Sequence, residues 1–503
     1  MLDRQWRSFV AEGPPTAAVR RNRIDRLMAL LLDNSDAFID AMAADYGTRS
    51  KAASLFTEII GITSVVEHTR SHVAQWMRPA KLMPAARLCG LRAEVQPTPL
   101  GVVGVIGPWN FPVNLVVLPA SAAFAAGNRV MIKMSEITAH TADLMAATAP
   151  KYFDPTELDV VTGGADVAAA FAELPFDHLF FTGSPSVGAL VQRAAARNLV
   201  PVTLELGGKN PVVVAPGADI ARSAARIARA RMVNGGQVCV CPDYVMVPDG
   251  HLDSFVDTAR ETLRGMFPTV IANTDYCSSV NQANFDRVVR LINDARAHGA
   301  RVETIGPEGE SLPDRASRKI APTIVRDIDD RMRIADEEVF GPVLAVMGYS
   351  RLNEAIDYIN GRPAPLVAYW YGPDDENFRS FVRNTRSGGV ARNDFAAQMI
   401  PSAAPFGEWG AAGWAPITAR PGSTPSATTA PWSAMTCRSA SPEPRRRRSA
   451  VRCGSTPTPP CESRGPARTA DSGKLRNDRC RTGIRPVLGG LLQRAVRNLP
   501  TDA

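Results

Sequence analysis

The stretch HLFFTGSPSVGALVQRAAARNLVPVTLELGGKN, residues 178–210, sets the fold class. Its two apolar runs, HLFFT and VTLEL, are short and β-rich, and each is ended by small residues. Between them lies a segment of helical apolar spacing. Buried strands alternating with helices predict a parallel sheet covered on both faces. The alternation extends both ways. Upstream, GVVGVIG (101–107), NRVMIK (128–133) and LDVVTGG (158–164) are further strand-like runs, with helix-like NLVVLPASAAFAAG (114–127) between the first two. Downstream, a second series from Pro211 to about Asp394 predicts a second α/β domain. Nearer the N-terminus, Arg20 to Asp45 and Lys51 to Trp76 show the spacing of two amphipathic helices. KLMPAARLCGLRAEVQPTPLG (81–101) is Pro-punctuated and partly alternating, which suits a hairpin leaving the domain body. No repeat of solenoid length is present.

At 503 residues the chain can bury a large core in two or three domains. Its net charge of +7 is misleading, because residues 408–503 carry sixteen Lys/Arg against six Asp/Glu. The preceding 407 residues carry 41 against 44 and are mildly acidic, so no nucleic-acid partner is expected. Four scattered cysteines, Cys89, Cys239, Cys241 and Cys277, make no disulfide framework in that body and suit a reducing compartment. Gly101 to Asn128 carries no charge, but Pro108, Asn110, Pro112, Asn114 and Pro119 interrupt it, so a strand, loop and helix fits better than a membrane span. The N-terminus shows no apolar signal-peptide core. The expectation is a cytoplasmic protein without a membrane partner.

In a parallel sheet, ligands gather at the carboxyl ends of the strands. After FFT come Gly183, Ser184, Pro185 and Gly188, where a helix opening on proline leaves free N–H groups suited to a pyrophosphate; a plain structural turn is the alternative. Glu205 places a carboxylate inside an apolar strand. There it has a partner or a raised pKa fit for a general base, unless it merely faces outward. Cys239, in NGGQVCVCPDYV, follows small and polar residues that let a substrate reach the sulfur, whereas an isolated cysteine is usually inert and buried. Cys239 and Cys241 lack a second Cys/His pair nearby, so no metal site is expected. Asn110, between the prolines of GPWNFP, offers a neutral donor to a developing oxyanion; a turn asparagine is the plainer reading.

Together, PWNFP, KMSE, FFTGSPSVG, TLELGGKNP, GQVC and EEVFGPV resemble the motifs of the aldehyde dehydrogenase superfamily, in order and with compatible spacing. The resemblance covers residues 1–407. VVTGGADVAAAFAELPFDHLFFTGS makes the bacterial coniferyl aldehyde dehydrogenase group, related to the class 3 enzymes, the most similar subgroup. It implies a Rossmann-like NAD-binding domain (1–78 and 98–205), an α/β catalytic domain (206–394) and a bridging β element (79–97 with 395–407). It also implies NAD(P)-dependent oxidation of an aldehyde to the acid, through a thiohemiacetal and thioester on Cys239. Asn110 and the Cys239 backbone N–H would hold the oxyanion, and Glu205 would activate water. Lys133 and Glu136 match positions that touch the adenosine ribose. A carboxylate at 136 should disfavour a 2′-phosphate, implying NAD with NADP as the alternative. Glu338 matches the nicotinamide-ribose position, with Phe340 beside it. The intact family implies a homodimer. Cys241 departs from the usual small residue; it either fills space or traps Cys239 as a disulfide.

The resemblance stops within PFGEWGAAGWAPITARPG (405–422). The family ending calls for a Gly-rich loop and then Tyr-His-Gly, Gly-Phe and Phe-Ser-His, yet residues 408–503 contain no histidine. Shifting a permissible back-translation of Gly407–Trp432 by one base restores Gly-Met-Gly, Tyr-His-Gly, Gly-Phe and Phe-Ser-His together. Codon choice frees only the first base of each shifted triplet, so the tail reads as frameshifted near codons 407–408. Such a tail, rich in Arg and Pro, is expected to be disordered, and the lost strand to leave an open sheet edge. The alternative function is therefore an inactive remnant that at most binds nucleotide.

Overall fold

The computed structural model describes residues 1–82, 93–401 and 412–414. Two sheets organise it. The first has six strands in the order Gly413–Trp414, Val202–Leu206, His178–Gly183, Val102–Ile106, Arg129–Lys133 and Leu158–Val161. All neighbours are parallel except the outer Gly413–Trp414 pair, which runs antiparallel to Val202–Leu206. Every residue of Val102–Ile106 and Arg129–Lys133 is buried, as strands covered on both faces require. The second sheet orders Arg301–Thr304, Thr323–Arg326, Val343–Tyr349, Tyr244–Pro248, Pro211–Val214, Val367–Tyr371 and Gly389–Arg392. Only its first pair is antiparallel. The α/β alternation read from the sequence is thus present twice.

Strand order places the site. From Val102–Ile106 the chain adds Arg129–Lys133 and Leu158–Val161 on one side, then returns to add His178–Gly183 on the other. The crevice at such a reversal, beyond the carboxyl ends of the strands, is where doubly wound sheets bind ligands. The loops that follow Ile106 and Gly183, carrying Asn110 and Ser184, leave the sheet there.

Two helical expectations need correction. Arg20–Asp45 is not one helix but two, Ala17–Asp33 and Ser35–Tyr46, broken at Asn34, whose side-chain amide donates to Leu30 O at 2.8 Å. Lys51–Trp76 begins as a short α segment, Lys51–Ser54, widens to a π turn at Leu55–Ile60, and resumes as Gly61–Trp76. π turns inside helices are rare and frequently mark functional sites. The hairpin expected within 81–101 has its two ends in place, Ala80–Leu82 paired antiparallel with Ala93–Val95. Residues 83–92 lie outside those described.

Of the bridging segment expected over 395–407, the described part is a 3₁₀ turn at Ala397–Met399. The tail expected to be disordered lies outside the described residues, apart from Ala412–Trp414. Gly413 and Trp414 pair with the edge of the first sheet, and Ala412 before them is buried in the core under the second sheet. Among the described residues, no helix is long and apolar enough to cross a membrane.

Candidate active site

Glu205 lies in the Val202–Leu206 strand and is 4% exposed, which removes the reading of an outward surface carboxylate. The strand ends at Gly207–Gly208, and the Glu338 carboxyl folds back against both. A Cβ at Gly207 would run into the Glu338 carboxylate, so glycine is needed there for close approach. Burial and the nearby Asp243 charge push Glu338 up to about 8, although Gly208 donates a backbone hydrogen bond to it.

Cys239 follows a backbone with three successive left-handed residues, Asn234 (φ 48°), Gly235 (φ 62°) and Gly236 (φ 79°). At Gly236 a Cβ would also collide with Gly341 O, so the turn before the sulfur locks onto the loop carrying Glu338 and Phe340. Phe340 itself has φ 46°, a strained value for an aromatic residue and typical of functional loops. Its ring meets Trp109 edge-on, centroids 5.3 Å apart. Asn110 is buried, and its amide donates to Gln237 O at 3.3 Å, two residues before Cys239. Asn234 in turn donates to Asn110 O at 3.2 Å. Asn110 and the cysteine loop are therefore one hydrogen-bonded unit.

Cys241 is not placed to trap Cys239. Its sulfur points to Ala230 O and Arg231 O, at 3.6 and 3.7 Å, in a fully buried position that pushes the thiol up to about 11. It fills space, the first of the two expected roles. Among the described residues no His, Cys, Asp or Glu cluster could hold a metal.

At the turn after His178–Gly183, Ser184 caps the Pro185–Ala196 helix, its hydroxyl accepting from Val187 N at 3.4 Å, with Pro185 first in the helix. A Cβ on Gly188 would press on Leu206, so glycine lets this helix lie close on the sheet. The free N–H groups of the first turn, and the buried Thr182 hydroxyl without a partner just before Gly183, fit a pyrophosphate group. Lys133 is buried, with its ammonium lowered by desolvation, and lies 3.7 Å from the half-exposed Glu136 carboxylate. Lys133 and Glu136 leave the sheet on the other side of Val102–Ile106, so this pair and the Ser184 turn flank the same crevice.

Residues 12–420 match the profile of the aldehyde dehydrogenase family. The chain belongs to the aldehyde dehydrogenase family. It is 44% identical over 412 residues to coniferyl aldehyde dehydrogenase of a Pseudomonas species, covering 82% of this chain and 85% of that one. A probable coniferyl aldehyde dehydrogenase of Caulobacter vibrioides is 45% identical over 416 residues, covering 82% and 86%. Among solved structures, the substrate-bound aldehyde dehydrogenase of Staphylococcus aureus superposes with a TM-score of 0.78 at 31% identity, over 84% of this chain and 90% of that one. An aldehyde dehydrogenase of Mycobacterium tuberculosis complexed with NAD+ gives 0.73 at 26% identity, over 83% and 86%. The protein is thus an oxidoreductase of this family, with the family fold, acting in a class that oxidises aldehydes with NAD or NADP.

Sequence reasoning missed the residues that hold this aldehyde dehydrogenase site in shape. Asn210 is fully buried; it donates to Cys239 O at 2.7 Å and Cys241 O at 3.0 Å and accepts from Val367 N, clamping the cysteine turn to the second sheet. Asp243 pairs with Lys209 and accepts from Val339 N at 2.8 Å. Arg231 donates to Gly341 O and Pro242 O. The available signal was a set of charged and amide side chains inside apolar runs next to the motifs.

Proposed function

We propose that this chain carries the machinery to oxidise an aromatic propenal such as coniferyl aldehyde to its acid, with medium-chain aliphatic aldehydes as the alternative substrate class. The Cys239 thiolate adds to the aldehyde carbon to give a thiohemiacetal. The Asn110 amide and the Cys239 backbone N–H stabilise the oxygen that becomes negative. NAD, when bound, supplies the acceptor for the two electrons that turn the thiohemiacetal into a thioester. The Ser184–Gly188 turn would hold its pyrophosphate, with Lys133 and Glu136 at one ribose and Glu338, beside Phe340, at the other. Glu205 then takes a proton from water as it attacks the thioester carbon. The carboxylic acid leaves and the thiol is restored.

One observation carries this reading: the Asn110 amide is hydrogen-bonded into the same turn that presents Cys239. The half-exposed Glu136 carboxylate next to Lys133 supports NAD over NADP, because a 2′-phosphate would meet a like charge there. The names of the two coniferyl relatives support the substrate class. A rat relative at 34% identity is named as dimeric and NADP-preferring, which supports a homodimer for the intact family but leaves the cofactor a matter for titration. The decisive assay follows NADH formation from coniferyl aldehyde and from a medium-chain aliphatic aldehyde, each against Cys239→Ala. Turnover that vanishes in the variant is expected, and its persistence would sink the assignment.

A second reading concerns residues 408–503. The family motifs recovered one base out of frame favour a frameshift, which replaces the end of the substrate-site wall and the strand that would join the 79–97 hairpin. Reading the gene across the codons for Pro405 to Gly410 tests it. An extra base there means an intact dehydrogenase. Its absence means a remnant, expected to be insoluble or inactive, that at most binds nucleotide.

A further inference from the structure

Glu58 is fully buried, and the aldehyde chemistry above does not use it. It sits in the π turn Leu55–Ile60 and reaches across to Val113 and Asn114, the two residues that follow the Pro108–Pro112 loop. One carboxylate oxygen pairs with Arg49 Nη2 at 2.8 Å. The other accepts from the backbone N–H of Val113 at 3.3 Å and Asn114 at 2.8 Å, where the helix after the loop begins. Arg49 is buried as well, its guanidinium 4.8 Å from the Tyr46 ring centroid and 5.5 Å from that of Phe111. The Tyr46 hydroxyl donates toward Trp109 O and Asn110 O, at 3.1 and 3.3 Å. Asn114 closes the arrangement by donating its amide to Thr57 O at 2.8 Å.

The segment from Trp109 to Asn114 is thus gripped from behind on both sides of Asn110. A carboxylate taken out of water is held only where charge and N–H donors compensate it. Here Arg49 compensates one oxygen and the backbone N–H groups of Val113 and Asn114 the other, so the chain after the loop cannot shift without leaving a buried oxygen unpaired. We propose that Tyr46, Arg49 and Glu58 are positioning residues for aldehyde oxidation, fixing the Asn110 carboxamide where the oxyanion forms. This rests on the reading of Cys239 as nucleophile and Asn110 as oxyanion donor.

The test is the pre-steady-state burst of p-nitrophenolate when the full chain meets p-nitrophenyl acetate. The Cys239 thiolate bonds to the acetyl carbon, p-nitrophenolate leaves with the bonding pair, and no cofactor takes part. Tyr46→Phe and Glu58→Gln are each made with Asn110 intact and with Asn110→Ala. Asn110→Ala alone should slow the burst on the order of 100-fold. With Asn110 present, Glu58→Gln should slow it about tenfold and Tyr46→Phe about fivefold, since small misplacements of catalytic groups cost rate steeply. In the Asn110→Ala background both effects should fall below about twofold, because the group they position is gone. Alkylation of Cys239 by iodoacetamide, which forms no oxyanion, should keep its rate in every variant.

Equal slowing in both backgrounds, or no slowing in either, overturns the positioning role. A burst that is absent from the unaltered chain, or indifferent to Cys239→Ala or Asn110→Ala, instead overturns the functional reading beneath it. Should Glu58→Gln lose its cooperative melting transition, Tyr46→Phe, which removes one hydroxyl, decides the matter.

Discussion

Two loops close on Cys239, and they are held by opposite charges. The loop of Pro108–Pro112 runs straight into a helix, so its end presents free N–H groups, and a buried carboxylate, Glu58, catches them. The loop of Glu337–Gly341 lies outside any helix or strand and presents carbonyls. Cations catch those: Lys209 on Glu337 O, Arg287 on Glu338 O and Val339 O, and Arg231 on Gly341 O. Asp243 balances the second set and takes the Val339 N–H. The loops meet where Trp109 touches Phe340. The polarity of the backbone that a loop leaves unpaired therefore selects the side chain that anchors it.

The largest expected effect breaks the cationic anchor. Asp243→Ala leaves Lys209 and Arg231 buried without their counter-charge, and should lower stability by about 3–5 kcal/mol. Urea unfolding measures it, and a loss below about 1 kcal/mol would mean that Asp243 anchors nothing.

Next comes the contact between the cysteine turn and that loop. Gly236→Ala forces a side chain onto a residue at φ 79° and against Gly341 O, for an expected loss of about 1–3 kcal/mol. Accelerated proteolysis near Cys239 should accompany it. An unchanged melting temperature would show that the turn has room to relax.

A smaller, pH-dependent effect follows from Glu338. Its folded value near 8 lies above the ordinary carboxylate value of about 4.3. Across that window the folded chain keeps a proton that the unfolded chain has released, so this group's contribution to stability is present at low pH and fades as pH rises. Glu338→Gln removes the slope. Its melting temperature relative to the unaltered chain should increase from about pH 5.5 to about pH 8.5; a difference that stays flat would place the Glu338 titration elsewhere.

The smallest effect sharpens the contrast between the neighbouring cysteines. Cys241→Ala should cost only about 1 kcal/mol from the small void it leaves, with alkylation of Cys239 unaffected. A faster or slower Cys239 would show that the two sulfurs interact.

Some of the candidate site's local structure was legible before any coordinates. Glu205 stood out as a charge within an apolar run, and the buried strand bears that out. Pro185 gave away a helix start, and the helix begins there. The break at Asn34 was harder to see, since apolar spacing continues across it and only a capping-type residue marks the interruption. The π turn at Leu55–Ile60 was invisible because the run LFTEII carries no glycine or proline to mark it. Cys241 was ambiguous because spacing says nothing about which way a side chain turns.

By itself the sequence determined the alternation of strands and helices, the order of the motifs, the family, and the position at which the language of the chain changes. Those follow from local patterning, which is written residue by residue. Tertiary structure alone decided that Glu58 and Asn114, Asp243 and Val339, and Trp109 and Phe340 are neighbours. Such pairs lie scores of residues apart, and a buried charge finds its partner only when the sheets have folded around it and water can no longer serve in the partner's place.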